Sequence, residues 1–373
     1  MLNKVEWGKF KLGDLFEIQN TLSFNKERLT DGNKYDYVTR TSQNQGILQC
    51  TGFVNQENIN PAGNWSLGLL QMDFFYRENP WYAGQFVRKI TPKKLITEKL
   101  TRRSIIYFST ILNKQKDRLL SVLVRDIDRV FQNIEVQLPI QNEKINFDFM
   151  EEFVAELEAQ RIAELANYLL ATGLKDYILT TEEEWALAVL ESGEVEFAEY
   201  KLIDLFTVKN TNNILARDII PNSGITPYLS ASRENNAVSS YISYKENLIE
   251  KGNCIFIGGK TFVITYQAEN FYSNDSHNLC LYFKDKEKVN RLNHLFIISC
   301  IERSLGHKYS WGDSISNKKI QKDTVFLPTQ NGNPDYVYMQ TLISAVQKQV
   351  IKDVVLYADE KIAATKIITG QSE

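Results

Sequence analysis

Cysteine, histidine and proline are scarce in this chain: four Cys, three His and eight Pro in 373 residues. Cys50, Cys254, Cys280 and Cys300 are scattered and form no CxxC, which argues against a disulfide framework or a zinc site and for reduced thiols. His277, His294 and His307 stand 17 and 13 residues apart, without the spacing of metal ligands. No apolar run approaches the ~18 residues of a membrane span. The start, MLNKVEWGKF, lacks the apolar core of a signal peptide, so a cytoplasmic location with no membrane partner is expected. Gly and Pro are too few for a disordered chain, and the length is ample for two cores.

What the chain does contain is a repeat. Val5–Ile18 reads VEWGKFKLGDLFEI, and Val195–Val208 reads VEFAEYKLIDLFTV, an ungapped offset of 190 residues. Lys11/Lys201, Leu12/Leu202, Asp14/Asp204, Leu15/Leu205 and Phe16/Phe206 are identical. The correspondence continues through Tyr37–Ile47 against Tyr228–Val238, Gly63-Asn64 against Gly252-Asn253, and Trp81-Tyr82 against Phe271-Tyr272. It closes with Leu138–Asn142 against Leu327–Asn331 and Phe147–Met150 against Tyr336–Met339. Self-similarity over so long a period implies a duplicated domain.

The net charge of −3 conceals an uneven distribution. Residues 1–146 carry 21 Lys/Arg against 15 Asp/Glu, a net of +6, while residues 147–194 carry 2 against 12, a net of −10. Residues 195–335 carry 16 against 15. Phosphate binding depends on a local basic patch and not on the sum. A solvated acidic helix beside ordinary domains explains the same numbers.

Short aromatic and β-branched runs at 35–41, 46–54, 67–76, 85–90 and 134–138, separated by Asn, Gly and Asp turns, read as strands. Helical spacing is expected over Ser104–Leu123 and, in the second copy, over Leu292–Ser304. From Asp148 to about Tyr177 the apolar period becomes helical, with Gly173 as a stop, and a shorter helix follows over Glu182–Glu191 behind a Thr-Thr cap. Tyr336–Ala364 carries Met339, Leu342, Ile343, Val346, Val350, Val354, Tyr357 and Ile362 at coiled-coil spacing. The expected fold is α+β: two β-rich domains in tandem repeat, at 1–146 and 195–335. They are joined by two long antiparallel spacer helices, within 147–194 (with a connector) and 336–373, in a pseudo-twofold arrangement.

Candidate catalytic motifs fail on the repeat. Asn79-Pro80-Trp81-Tyr82 superficially has the look of an adenine methyltransferase motif, but its counterpart is Glu269-Asn270-Phe271-Tyr272. Glu199-Tyr200-Lys201 has nuclease-like spacing, but its counterpart is Lys9-Phe10-Lys11. Gly258-Gly259-Lys260-Thr261 ends like a phosphate loop without the upstream glycine. No catalytic residue, metal or cofactor is expected.

The heading FKLGDLFEI, the loop YVTRTSQNQGI, the LPxQN strand end and the xPDYxYM helix start, in duplicated order, resemble DNA specificity (S) subunits of type I restriction–modification systems and their type IIB relatives. The resemblance covers essentially the whole chain. It implies a non-catalytic reader of double-stranded DNA, with each domain a target-recognition domain for half of a bipartite site. It also implies docking of DNA methyltransferase (M) subunits, in up to two copies, with a restriction subunit as a further candidate partner. The alternatives are a duplicated protein-interaction adaptor and a stand-alone methyltransferase or nuclease.

Base readout needs Arg, Asn, Gln, Ser or Thr, and positioning needs Lys or Arg at phosphates. The paired loops offer Arg40, Thr41, Ser42, Gln43 and Asn44 in copy one, and Ser232, Arg233, Asn235 and Asn236 in copy two. The next loops offer Gln71 in copy one and Lys260 and Thr261 in copy two. Arg102, Arg103, Lys308, Tyr309 and Ser310 are candidates for phosphate contacts.

Overall fold

The computed structural model describes residues 5–369, with side chains as far as Ala364. It falls into two compact units, one running to Leu165 and the other from Ala166 to Ala363.

In unit 1 the heading is a joint between sheets. Strand β1 (Glu6–Lys11) lies antiparallel on β9 (Glu135–Gln141), which also pairs with β10 (Lys144–Ile145). A single turn, α1 (Leu12–Leu15), then swings the chain into β2 (Phe16–Asn20). Leu12, Leu15 and Phe16 are fully buried there, among Trp65, Phe108 and Phe131. Each such apolar side chain contributes about 2 kcal/mol by leaving water. β2 borders a four-stranded antiparallel sheet in the order β2, β8 (Val87–Pro92), β5 (Asn64–Gly68), β6 (Asp73–Arg77). A third sheet runs β4 (Ile47–Thr51), β3 (Tyr35–Val38), β7 (Trp81–Ala83), with β3 and β7 parallel.

Two expectations need correcting here. The run 67–76 is not one strand but the β5–β6 hairpin, whose turn Leu69–Met72 is apolar except for Gln71 and places Met72 at φ 55°. The helix expected over 104–123 is broken in two. After α2 (Lys94–Thr97), α3 (Arg102–Asn113) starts behind Thr101, which forms a capping box with Ser104. It stops where the Asn113 amide turns onto β6, donating to Phe74 O at 2.9 Å and accepting from Phe74 N–H at 3.0 Å. Lys116 then pairs with Asp73 at 2.5 Å as the chain restarts in α4 (Lys116–Leu120), followed by α5 (Ile127–Asn133). The long helix α6 (Phe147–Ala171) spans about 37 Å at 1.5 Å per residue. Gly173, at φ 71°, lies in the turn that follows its end.

Unit 2 repeats these sheets strand for strand. Its orders are β11 (Phe197–Lys201), β19 (Thr324–Gln330), β20 (Asn333–Pro334); then β12 (Phe206–Asn210), β18 (Leu279–Phe283), β15 (Cys254–Ile257), β16 (Ile264–Gln267); and β14 (Val238–Ile242), β13 (Thr226–Leu229), β17 (Tyr272–Ser273). The turn α8 (Leu202–Leu205) is the second heading. The copies differ after the main helix. Unit 2 follows α9 (Arg291–Leu305) with an irregular loop and the single turn α10 (Asn317–Ile320), where unit 1 builds α4 and α5.

The helix expected at 182–191 is α7 (Thr181–Ser192), with a capping box between Thr180 and Glu183. It packs on α11 (Tyr336–Thr369): Tyr338 donates its hydroxyl to Ala186 O at 3.0 Å, and Glu183 accepts from Ser344 at 2.6 Å and from Lys348 at 3.0 Å. Of the α11 residues with coiled-coil spacing, Met339 and Leu342 lie in the unit 2 core, while Val346, Val350, Val354 and Tyr357 are exposed. Among the described residues, no helix is long and apolar enough to cross a membrane.

Candidate nucleic-acid interface

The loops singled out by the repeat, Thr39–Gly46 and Ser230–Ala237, share one architecture. Each folds back on its own sheet through a backbone bond, Thr39 N–H to Gly46 O at 2.8 Å and Ser230 N–H to Ala237 O at 2.9 Å. A hydroxyl turns the start of each loop: Thr41 accepts from Gln43 N–H and Ser232 from Glu234 N–H, both at 3.2 Å. An amide ties the end: Asn44 donates to Ile47 O at 3.1 Å and Asn235 to Val238 O at 2.9 Å. Three successive residues are left-handed in each, at φ 45°, 52° and 78° for Asn44, Gln45 and Gly46, and at 48°, 51° and 67° for Asn235, Asn236 and Ala237.

The frame therefore uses Thr41, Asn44, Ser232 and Asn235. The exposed side chains that differ between the copies are Ser42, Gln43 and Gln45 in one and Arg233, Glu234 and Asn236 in the other. Ser42 bonds to the Asp73 carboxylate, and the Asn236 amide donates to Tyr266 O at 3.0 Å. Arg40 is exposed and lies over the Phe86 ring at 5.2 Å, whereas its counterpart is Ala231.

The hairpin turns carrying the second set of candidates sit against these loops. A Cβ on Gly68 would stand 2.9 Å from Arg40 Cα, and one on Gly258 would stand 2.6 Å from Ala231 Cβ. Glycine is thus required where the β5–β6 and β15–β16 turns meet the loops, and the contact brings Gln71, and Lys260 with Thr261, beside them. Lys260 pairs with Asp275 at 3.0 Å, and His277 Nδ1 lies 2.7 Å from the same carboxylate. Burial alone would raise the Asp275 carboxyl, but hydrogen bonds from His277 and Lys260 outweigh it and hold it at about 2.

The remaining candidates separate. Arg102 is exposed and lines a groove of about 770 Å³ together with Gln45, Tyr76, Glu78, Asn79 and Asn113. Arg103 is half-buried and engaged with Glu158 of α6 at 3.0 Å. Lys308 and Ser310 are exposed, with Lys308 ion-paired to Asp323. Tyr309, expected as a phosphate contact, is instead a core residue at 4% exposure. Its ring packs on Phe262 at 5.4 Å and its hydroxyl donates to Asp323 at 2.5 Å, a contact that joins burial in raising the phenol. Trp81 and Tyr82 are fully buried, and Trp81 donates to Asn64 Oδ1 at 3.1 Å, which leaves no open base-stacking face on that pair.

Pattern reading missed Arg77 and Gln267. Both are buried at the ends of their strands, β6 and β16, and both reach the loops from behind: Arg77 bonds to Gln45 O, and Gln267 donates to Asn236 O at 3.0 Å. Burial lowers the Arg77 guanidinium to about 10, and nearby Asp36 counteracts part of that, so it remains a cation at neutral pH. The available signal was a polar residue closing each of DFFYR and ITYQ at the repeat offset.

The geometry defines a class: a duplicated α+β scaffold that presents two isostructural polar loops with different side chains. The chain belongs to the family described as the type I restriction modification DNA specificity domain, which matches it twice, over residues 4–167 and 194–364. It is 24% identical over 161 residues to the S.BcgI specificity subunit of a type II restriction enzyme from Heyndrickxia coagulans, a stretch covering 43% of this chain and 46% of that one. The match thus spans about half the length of that relative. A stretch of 147 residues is also 24% identical to hemoglobin-haptoglobin-binding protein A of Haemophilus influenzae, over 35% of this chain and only 14% of that one. The fold is similar to the crystal structure of a type I restriction–modification S subunit from M. genitalium, with a TM-score of 0.57 at 13% identity, covering 98% of this chain and 94% of that one.

Proposed function

We propose that this chain is the DNA specificity subunit of a restriction–modification complex and that each unit reads one half of a bipartite site. The observation that carries the reading is the loop frame built twice to one geometry with different exposed side chains. A common frame keeps the approach to the duplex constant, while Ser42, Gln43 and Gln45 against Arg233, Glu234 and Asn236 supply different donors and acceptors for base edges. Arg40, Arg102, Lys260 and Lys308 then serve phosphate positioning. Methyl transfer and any cleavage belong to partner subunits, so this chain acts in the cytoplasm as a non-catalytic reader.

The long helices α6 and α11 act as the ruler between the half-sites and as the docking element for methyltransferase subunits. The twelve acidic residues of 147–194 would repel phosphate, which favours a protein partner for that stretch over DNA. Adding one turn to each helix should lengthen the preferred gap and leave both half-sequences unchanged; altered half-sequences at an unchanged gap would sink the ruler. The direct test is to equilibrate the chain, alone and with a methyltransferase subunit encoded beside it, with randomised duplex DNA and to sequence what is retained. Two short recurring blocks at fixed separation are expected, and no enrichment in either condition overturns the proposal.

A further inference from the structure

Three left-handed residues in succession are unfavourable outside glycine, because each Cβ crowds the following carbonyl. Such a run persists only where its surroundings over-determine it. The backbone meets the outer carbonyls of each run: Ile47 N–H donates to Asn44 O and Thr39 N–H to Gly46 O in one loop, Val238 N–H to Asn235 O and Ser230 N–H to Ala237 O in the other. The middle carbonyl, of Gln45 or Asn236, is met from the neighbouring sheet. Arg77 donates to the first and Gln267 to the second. The donors occupy the same strand position, Arg77 opposite Asn64 and Gln267 opposite Cys254, 190 residues apart in each case. They are 1% and 4% exposed.

The surroundings differ in a compensating way. In unit 1 the small Ser66 accepts from Arg77 Nε at 2.9 Å and from Nη2 at 2.7 Å. In unit 2 the place of Ser66 is taken by the buried ring of Phe256, and the shorter Gln267 instead donates to Thr265 Oγ1 at 2.9 Å. A long cation over a small hydroxyl and a short amide beside a large ring deliver the same bond to the same carbonyl. Neither donor is accessible enough to reach a phosphate or a base.

We infer that Arg77 and Gln267 are positioning residues for sequence readout. Each holds the central carbonyl of its loop so that the exposed side chains around it meet the bases in one register. The inference rests on the reading of these loops as DNA readers.

Full-length chain with its methyltransferase partner is selected on randomised duplex DNA, comparing wild type with Arg77→Met, Arg77→Lys and Gln267→Leu. Arg77→Met should flatten one sequence block, with discrimination falling about tenfold, and leave the other intact. Gln267→Leu should do the reverse, and Arg77→Lys, which keeps a donor, should retain both blocks. The salt dependence of binding should be unchanged by Arg77→Met, whereas loss of a phosphate contact would reduce its slope by about one. Hydrogen exchange on the same variants should be about tenfold faster at residues 39–47 or 230–238 alone.

Both blocks intact in Arg77→Met and Gln267→Leu, or a reduced salt slope, would overturn the inference. If wild type yields no blocks, the DNA-reading proposal fails by itself, and unchanged loop exchange in the variants then refutes the tether separately. Should Arg77→Met unfold unit 1, the neutral Gln267→Leu change decides.

Discussion

The two units share every sheet, both headings and the loop frame, yet they are stabilised and charged differently. Residues 1–146 carry a net of +6, residues 195–335 a net of +1. Unit 1 continues from α3 into α4 and α5, and its loop is backed by a buried cation; unit 2 replaces those helices with an irregular loop around Lys308–Ser310 and backs its Ser230–Ala237 loop with a neutral amide. Unit 1 has glycine at the last left-handed position, Gly46, where unit 2 carries Ala237. All three histidines fall in unit 2. Duplication has thus preserved hydrogen-bond destinations more faithfully than the side chains that supply them.

The sharpest way to break the comparison is to exchange the exposed loop residues proposed to read bases. Placing Arg, Glu and Asn at Ser42, Gln43 and Gln45 should convert the first half-site toward the second, at about 1–3 kcal/mol for each base pair newly discriminated. Selection on randomised DNA would show this, and a first block unmoved by all three changes would mean that readout lies elsewhere in unit 1.

A stability contrast comes next. Glu183 is nearly buried on α7 and gathers Ser344 Oγ, Thr180 N–H and Lys348 Nζ, a set that unit 1 has no α7 to build. Glu183→Ala should cost about 3 kcal/mol, because it leaves Lys348 without one of its two carboxylates and α7 without its capping box. Hydrogen exchange resolved by unit should place that loss in unit 2; a uniform loss would count against independent cores.

Gly46→Ala tests the strain. At φ 78° its Cβ would approach Thr39 O and Arg77 Nη2, each at 3.3 Å, so a cost of about 1–2 kcal/mol is expected in thermal unfolding. No measurable cost would mean that unit 1 tolerates alanine as unit 2 already does.

The smallest effect expected is a pH dependence confined to unit 2. Burial holds His294 below the ordinary imidazole value, between the rings of Tyr266 and Phe283, against the opposing influence of its bond to Asn290 O. The unfolded chain therefore takes up a proton first as the pH falls through about 6.5, and stability declines from there until the folded imidazole also protonates. Unit 2 should lose protection between pH 7 and 5.5 and unit 1, without histidine, should not. Equal losses would refute the assignment to His294.

The duplication and its headings were readable in the sequence because Leu12, Phe16, Leu202 and Phe206 are core positions whose burial demands apolar side chains at one spacing. Helices α7, α9 and α11 were legible for the same reason, and α7 also by its cap at Thr180. The break after Asn113 was not legible, since the amide that ends α3 bonds to β6, 39 residues away. The mostly apolar turn Leu69–Met72 hid a hairpin, because one Gln among Leu and Met does not stand out as a turn within an apolar run. Tyr309 was misread because its polar tip is satisfied by Asp323, which no local pattern announces.

Order along the chain and periodicity settled that there are two α+β copies and which two loops correspond, since those features depend on local spacing and on burial on one face. Which loop residues build the frame and which are exposed, and the bonds that Arg77 and Gln267 make to the loop carbonyls, emerged only in three dimensions. A hydrogen bond between residues some thirty positions apart has no period, and a buried donor and an exposed one can be the same amino acid until folding gives each its neighbours.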